Sequence, residues 1–424
     1  MKLHKFLLAA AAVLTMVLML APGAGAQGHY KTLIAAGDGR HGSSPDGSLI
    51  FDSSGNLYGT TLLGGNYSNH CYFGSCGTVF QLTPNPNGRW PWTLSYDFHG
   101  ADGDAPTTGV IFDAAGNLYG MTNRGGDYSL GAVFELTPEP GGGWTESVLH
   151  SFSGPEGTYP GGNLIFDASG NLYGTTGWGC GMGCVFEMMP NPDGSWTESV
   201  IYGFACCGGE SGGYPVASLV FDSAGNLYGT TAFGGLPGCS PYGNGCYGMG
   251  VAFELSPNGD GTWTEKVLHH FTGGKDGATP TSALVFDSAG NLYGTTYWGG
   301  AYNGNGNVFR LKPNGDGTWT EQVLHQFTGG KDGGAPVAGV IFDGAGNLYG
   351  TATQGGAYGY GVVFRLRPRE SGGVDYDVLH AFRDTRGDPG ALPLNVVLDA
   401  AGNLYGITMG DGTTTFGTVF EITP

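Results

Sequence analysis

Basic residues are scarce. The 424-residue chain carries 16 Lys and Arg against 35 Asp and Glu, a formal net charge of −19. A surface so short of cations repels phosphate backbones and anionic lipid, which sets aside nucleic-acid partners, and it tolerates or attracts cations. Sustained helical periodicity is missing as well, so helix is expected to be nearly absent. After Phe6 to Leu20 there is no second long apolar run, and no membrane insertion is expected once the N-terminal segment is removed. Gly-x-Ser-x-Gly, His-Glu-x-x-His and Gly-x-x-x-x-Gly-Lys-Ser/Thr are all lacking, so no familiar hydrolase, zinc-protease or phosphate-loop chemistry is indicated.

Glycine is abundant, with 84 residues, while aromatics reach 12%. The first figure argues against a helical protein and the second against a disordered one. Residues 1–26 read as a secretory leader: Lys2 and Lys5, an apolar run, then Ala24-Gly25-Ala26 before Gln27. Its removal takes away two lysines and no acid. The mature chain is therefore expected in the periplasm or outside the cell.

The pentapeptide Gly-Asn-Leu-Tyr-Gly occurs seven times, beginning at Gly55, Gly116, Gly170, Gly225, Gly290, Gly346 and Gly402. A period of this length marks one supersecondary unit that is stable only when stacked on its neighbours. In the unit beginning near Ala283, Leu284 to Phe286 reads as a strand and Asp287 to Asn291 as a turn. Leu292 to Thr296, Val308 to Leu311 and Trp319 to Phe327 supply three more strands. Leu292 and Tyr293 point to opposite faces and both are apolar, so neither face can stay wet. Four strands repeated seven times predict an all-β fold, a seven-bladed β-propeller of four-stranded antiparallel blades, as one domain over 27–424. The repeats fall near 47–98, 106–152, 160–204, 215–271, 280–327, 336–382 and 393–424 plus 30–35. The last unit ends after its third strand, so Tyr30 to Ala35 is expected to close the ring as its fourth. The glycine after each tyrosine is expected to let neighbouring backbones approach. Phe80, Phe134, Phe186, Phe253, Phe309, Phe364 and Phe420 are expected to pack blade on blade.

The pattern FDxxGNLYGTT…GG…GxVFELTP…GxWTExVLHxF resembles the GloVer tandem-repeat family, secreted bacterial proteins with variable C-terminal anchors. The resemblance covers essentially the whole mature chain, and Asp52, Asp113, Asp167, Asp222, Asp287, Asp343 and Asp399 hold one place in it. It implies the repeat fold and export, and it brings no catalytic motif. No anchor or sorting signal is expected after Pro424. Asp260-Gly261-Thr262-Trp263 and Asp316-Gly317-Thr318-Trp319 bear a weak likeness to the Asp-box of sialidase-type propellers, which is a hairpin device there.

The seven repeated aspartates suit turn caps better than metal ligands. No cofactor is expected; calcium is the one ion the acidic surface and the Asn-Gly-Asp-Gly turns would admit, although no complete calcium loop is present. His150, His269, His325 and His380 share a fourth-strand position with Tyr96 and Tyr202, and packing or hydrogen bonding between blades explains them better than metal. The eight cysteines are read as disulfides. Cys71 with Cys76 and Cys239 with Cys246 would form local bridges. Cys180 and Cys184 would form two bridges with Cys206 and Cys207 across two loops, in a pairing left open, with a Cys206–Cys207 bond as the lesser alternative. Just before the double-glycine position of the loop between second and third strands stand Arg124, Trp178, Phe233 and Trp298, the last beside Tyr297. These five are the candidate ligand-binding residues. Their rings suit a neutral polymer such as a glycan, while the competing reading has them capping the core. No catalytic residue is assigned. The expected function is a monomeric, non-catalytic binding module for extracellular polysaccharide or an envelope protein. The alternative is a carbohydrate-active hydrolase or lyase using loop carboxylates such as Asp102, Asp104, Asp276 and Asp332.

Overall fold

The computed structural model describes residues 29–37, 39, 42–65, 71–204, 211–235, 248–302, 304–369, 373–383, 385, 390–410 and 416–423. The expected leader lies outside the described residues, as do Cys206, Cys207, Cys239 and Cys246.

Every described element is a strand or turn; the strands form seven four-stranded antiparallel blades, and Gly212–Gly213 pairs with Phe233–Gly234 as a small separate ribbon. Blade 5 shows the plan: Val285–Phe286, Leu292–Thr296, Asn307–Pro313 and Trp319–Gln326 lie side by side in chain order. Blades 1 to 4 and 6 repeat this meander. In blade 1 the first strand is split into Ser43–Pro45 and Ile50–Phe51. Blade 7 takes Pro393–Leu398, Leu404–Thr408 and Thr418–Thr423 from the C-terminal end and His29–Ala35 from the N-terminal end. The seam pairs His29 with Thr423 and Ala35 with Thr418, antiparallel, as the closing strand requires.

The core is divided among the joints. Among the described residues there are seven apolar clusters, and each combines residues of two successive blades. Between blades 4 and 5, Phe271 meets Phe309 at 5.1 Å and Tyr228 meets Phe286 at 5.1 Å. The third-strand phenylalanines are fully buried. Burying such a ring contributes about 1.5–3 kcal/mol, and the part that the neighbouring blade covers is unavailable to an isolated blade.

The glycine after each tyrosine has a different use from the one expected. Gly294 pairs across the sheet with Phe309, and a Cβ there would lie 2.7 Å from Cζ of that ring. The space belongs to a ring of the same blade, not to a neighbouring backbone. Close approach between blades occurs at another glycine: a Cβ on Gly131 would lie 2.5 Å from Cδ of Pro160, and the φ of 109° suits glycine alone. At that joint Phe152 donates its N–H to the Gly131 carbonyl, and Tyr159 donates to that of Leu130, both at 3.0 Å.

Candidate functional site

The meander sends its connections to two unlike faces. Turns between first and second strands, and between third and fourth, leave on one side. They are short, polar and self-contained. Asp287 Oδ1 accepts from the N–H groups of Ala289 and Asn291, each at 2.9 Å; its Oδ2 accepts from Asn291 Nδ2 at 2.7 Å and Tyr293 OH at 2.9 Å. The same cap recurs at Asp52, Asp113, Asp167, Asp222, Asp343 and Asp399. The repeated aspartates are thus turn caps.

The other face carries the connections between second and third strands and from each fourth strand to the next blade. Each blade places a large apolar side chain in solvent there: Tyr72, Tyr128, Trp178, Met249, Trp298, Tyr358 and Phe416. Tyr72 is 64% exposed, Trp178 43% and Trp298 47%, whereas Arg124, Phe233 and Tyr297 are half-buried.

The candidate residues fall into three groups on this face. Trp178 packs edge-on against Tyr214 at 5.5 Å, and Tyr214 continues to Phe233 at 5.5 Å, giving an aromatic run across blades 3 and 4. Tyr297 and Trp298 form their own edge-to-face pair at 4.6 Å in blade 5, where the Trp298 backbone exchanges hydrogen bonds with Ala278. Arg124 belongs elsewhere: its guanidinium lies 3.8 Å from the Tyr72 ring centroid and 5.2 Å from that of Tyr159. Asp104 holds this stack, accepting from the Tyr72 N–H at 2.7 Å and pairing by backbone with Arg124.

Tyr72, Tyr159 and Tyr214 were not singled out from the sequence. The last two could have been, because each precedes the proline that opens its blade. That residue has positive φ in all seven blades: Ser44, Ala105, Tyr159, Tyr214, Thr279, Ala335 and Leu392, between 53° and 61°. Such a conformation costs a non-glycine residue about 1–3 kcal/mol. It is held by an N–H bond to the preceding blade, as from Tyr214 to Met182 O at 2.6 Å.

The disulfides brace the same face. Cys71 bonds Cys76 as expected. Cys180 bonds Cys184, which corrects the expectation of two bridges between loops. The tight loop already brings the two Cα atoms to 5.8 Å, so neither thiol needs a distant partner.

Of the loop carboxylates, Asp102, Asp276 and Asp332 are engaged locally, while Asp104 keeps a buried Oδ1 that has no hydrogen-bond partner among the described residues. Asp102 accepts from Tyr96 OH and His99 N–H, each at 2.7 Å. Asp276 accepts from the Thr272 N–H at 2.8 Å and its hydroxyl at 2.6 Å. Asp332 accepts from the Thr328 N–H at 3.0 Å and contacts His325 Nε2 at 3.2 Å. The histidines pack edge-on against Phe152, Phe271 and Phe327, and burial lowers the pKa of His150, His269 and His325 against the pull of their carboxylates. Glutamates of the next blade's fourth strand approach these acids. Burial, then the charges of Asp102, Glu156 and Asp276, push Glu146, Glu198 and Glu321 respectively up to about 7. No expectation from the sequence included these glutamates.

Along the axis runs a bore of about 590 Å³, lined by first-strand residues of all seven blades, among them Asp46, Thr107, Asn163, Val216, Thr281, Val337 and Asn395. A second cavity, of about 560 Å³, lies at the joint of blades 6 and 7 between Lys331, Tyr358, His380, Arg383 and Tyr30.

No curated protein matches the sequence. Among solved structures the chain is similar to PorZ of Porphyromonas gingivalis, a bacterial surface component of the type-IX secretion system. That match has 13% identity and a TM-score of 0.50, covering 90% of this chain and 46% of PorZ. It is also similar to a candidate gluconolactonase, at 12% identity and TM-score 0.41, with 96% of this chain and 94% of that one covered. A luciferin-regenerating enzyme matches at 12% identity and TM-score 0.43, with coverage of 74% and 90%. At such identities the likeness concerns the fold alone. The model of the Gloeobacter/Verrucomicrobia repeat matches residues 20–240 and 238–424, so this propeller belongs to the Gloeobacter/Verrucomicrobia repeat family.

Proposed function

We propose that the chain is a secreted, non-catalytic binding module whose aromatic face takes an extracellular polysaccharide. The observation that carries this reading is the ring of exposed apolar side chains, at least one from each blade, on the face of the longer connections. Sugar C–H faces stack on flat rings, and the neighbouring hydroxyls and amides supply hydrogen bonds. The net charge of −19 disfavours polyanions and leaves neutral chains as the better partners. Export is supported by the two disulfides, which form in oxidising compartments. Binding is favoured over hydrolysis or lysis because Asp102, Asp276 and Asp332 spend their oxygens on loop caps.

The test is a glycan array probed with the mature chain and with a Trp178→Ala/Trp298→Ala variant, followed by titration of any hit. Loss of about tenfold or more in affinity is expected, since a ring stacked on an apolar partner contributes roughly 0.5–1.5 kcal/mol beyond its area. Equal binding by both forms removes these residues from the site. Release of reducing ends from the bound glycan would replace this reading with the enzymatic one.

A further inference from the structure

The seven-fold repeat supplies its own control for what the fold requires at each position. The residue that follows the phenylalanine ending the fourth strand is His99, Ser153, Thr272 and Thr328 in blades 1, 2, 4 and 5. In each of these blades its N–H donates to the acid of the following loop: to Asp102 at 2.7 Å, Glu156 at 2.6 Å, Asp276 at 2.8 Å and Asp332 at 3.0 Å. The fold uses the backbone at this place and asks for no positive side chain. Of the blades with that phenylalanine, only blade 6 has an arginine or lysine next, Arg383.

Arg383 is exposed, and its guanidinium lies 4.4 Å from the Tyr358 ring centroid. The ring takes one face of the planar group and leaves its N–H edge for another partner. Lys331, from the loop between blades 5 and 6, lines the same cavity of about 560 Å³. Neither side chain has a hydrogen-bond or ion-pair partner among the described residues. Arg365 and Arg367 of the same blade show the contrast: both pair with Asp377, at 3.1 and 2.8 Å. No described Asp or Glu lines the cavity, although the chain carries a net charge of −19. Its other walls include Val378 and Tyr30, the latter stacked on His380.

We propose that this cavity binds a small organic acid of single negative charge, a sugar acid of the glucuronate type, with Arg383 donating to the carboxylate and Lys331 adding a second positive charge. A guanidinium fork matches the two oxygens of a carboxylate, and an ammonium acts on it as a point charge without fixed geometry. The Tyr358 ring and the Val378 side chain offer an apolar surface to the carbon skeleton, and the volume suits a ligand of this size. The charge of the whole molecule repels an anion in proportion to the anion's own charge. A carboxylate is therefore opposed about half as strongly as a phosphate dianion, while the local cations attract both. None of the five candidate ligand residues of the aromatic face lines the cavity, so the site is independent of the glycan reading.

Calorimetric titration of the mature chain at low ionic strength with sodium glucuronate, glucose and sodium phosphate tests this. Glucuronate is expected to bind at least about tenfold more tightly than glucose, the scale of one charge-assisted hydrogen bond. Arg383→Gln and Lys331→Gln are each expected to weaken it several-fold, and the two together to abolish the preference. Lys275→Gln is the control. Lys275 holds the place of Lys331 one blade earlier, is exposed and stands outside the cavity, so losing the same charge there is expected to leave glucuronate binding unchanged. The three substituted side chains are all exposed, and thermal melting confirms that each variant is folded. Equal affinity for glucuronate and glucose overturns the proposal, as do no glucuronate binding, a preference that survives in the double variant, an equal loss in Lys275→Gln, or tighter binding of phosphate than of glucuronate.

Discussion

Tyr30 lies face to face on His380, with ring centroids 3.9 Å apart and planes 7° apart. Tyr30 belongs to the strand that the N-terminal part of the chain lends to blade 7, and His380 to the outer strand of blade 6. The ring of Tyr30 also touches Phe382 and Phe420, each at 5.8 Å. One side chain therefore ties the closing strand to the blade before it as well as to its own.

Removing that ring should loosen the seam. Tyr30→Ala is expected to lower stability by about 2–4 kcal/mol, the usual range for truncating a large side chain in a core, while Tyr30→Phe should change it little. Chemical denaturation reads both. An unchanged midpoint for Tyr30→Ala would show that the seam strand is dispensable.

Two glycines of one pentapeptide should respond to alanine for different reasons. A Cβ on Gly294 would press on the Phe309 ring, so Gly294→Ala should cost about 1–3 kcal/mol by overpacking and be partly restored by Phe309→Leu. Gly290 has open space around it and a φ of 79°. Gly290→Ala should cost roughly 1–2 kcal/mol from backbone strain, with no relief from Phe309→Leu. A double-mutant cycle separates the cases, and equal rescue at both positions would refute the packing account.

Stability should peak in mildly acidic solution. Glu146, Glu198 and Glu321 are raised to about 7, mainly by burial, whereas an unfolded glutamate titrates near 4.5. Below that lower value both states are protonated and the favourable contribution is complete. As pH rises through about 7, the folded ring must hold ionised carboxyls between its blades, and that contribution is lost. Asp287 acts in the opposite direction. Burial pulls its pKa up, but hydrogen bonds from Asn291, Tyr293 and Ala289 outweigh it, and the lowered pKa makes its cap weaken as acid protonates it. As these carboxyls set it, the melting temperature is therefore expected to be highest between the unfolded aspartate and glutamate values, 3.8 and 4.5, and to fall on both sides. Glu198→Gln should flatten only the alkaline side. A melting temperature that climbs steadily from pH 5 to pH 8 would contradict these shifts.

The architecture was legible because its determinants are local and repeated. Each unit shows an apolar run, an aspartate turn, Leu-Tyr-Gly and a third-strand phenylalanine, and one further strand, Tyr30 to Ala35, precedes the first unit. The role of Gly294 was misjudged because register across the sheet, which sets Gly294 opposite Phe309, is not written in the spacing of either segment. Among the candidate ligand residues, Trp178, Trp298 and Arg124 could be located in their loops, but not the rings beside them. Tyr214 comes to Trp178 from the next blade, and Tyr72 comes to Arg124 from the preceding one.

The sequence by itself determined that seven apolar sheets must shelter one another in a closed ring. That conclusion needs only the repeat period and the two greasy faces of every unit. Tertiary structure alone decided that Glu198 faces Glu156 and that Cys180 is satisfied by Cys184. These outcomes depend on distances set by blade tilt and loop path, which bring together side chains whose separation along the chain carries no trace of their meeting.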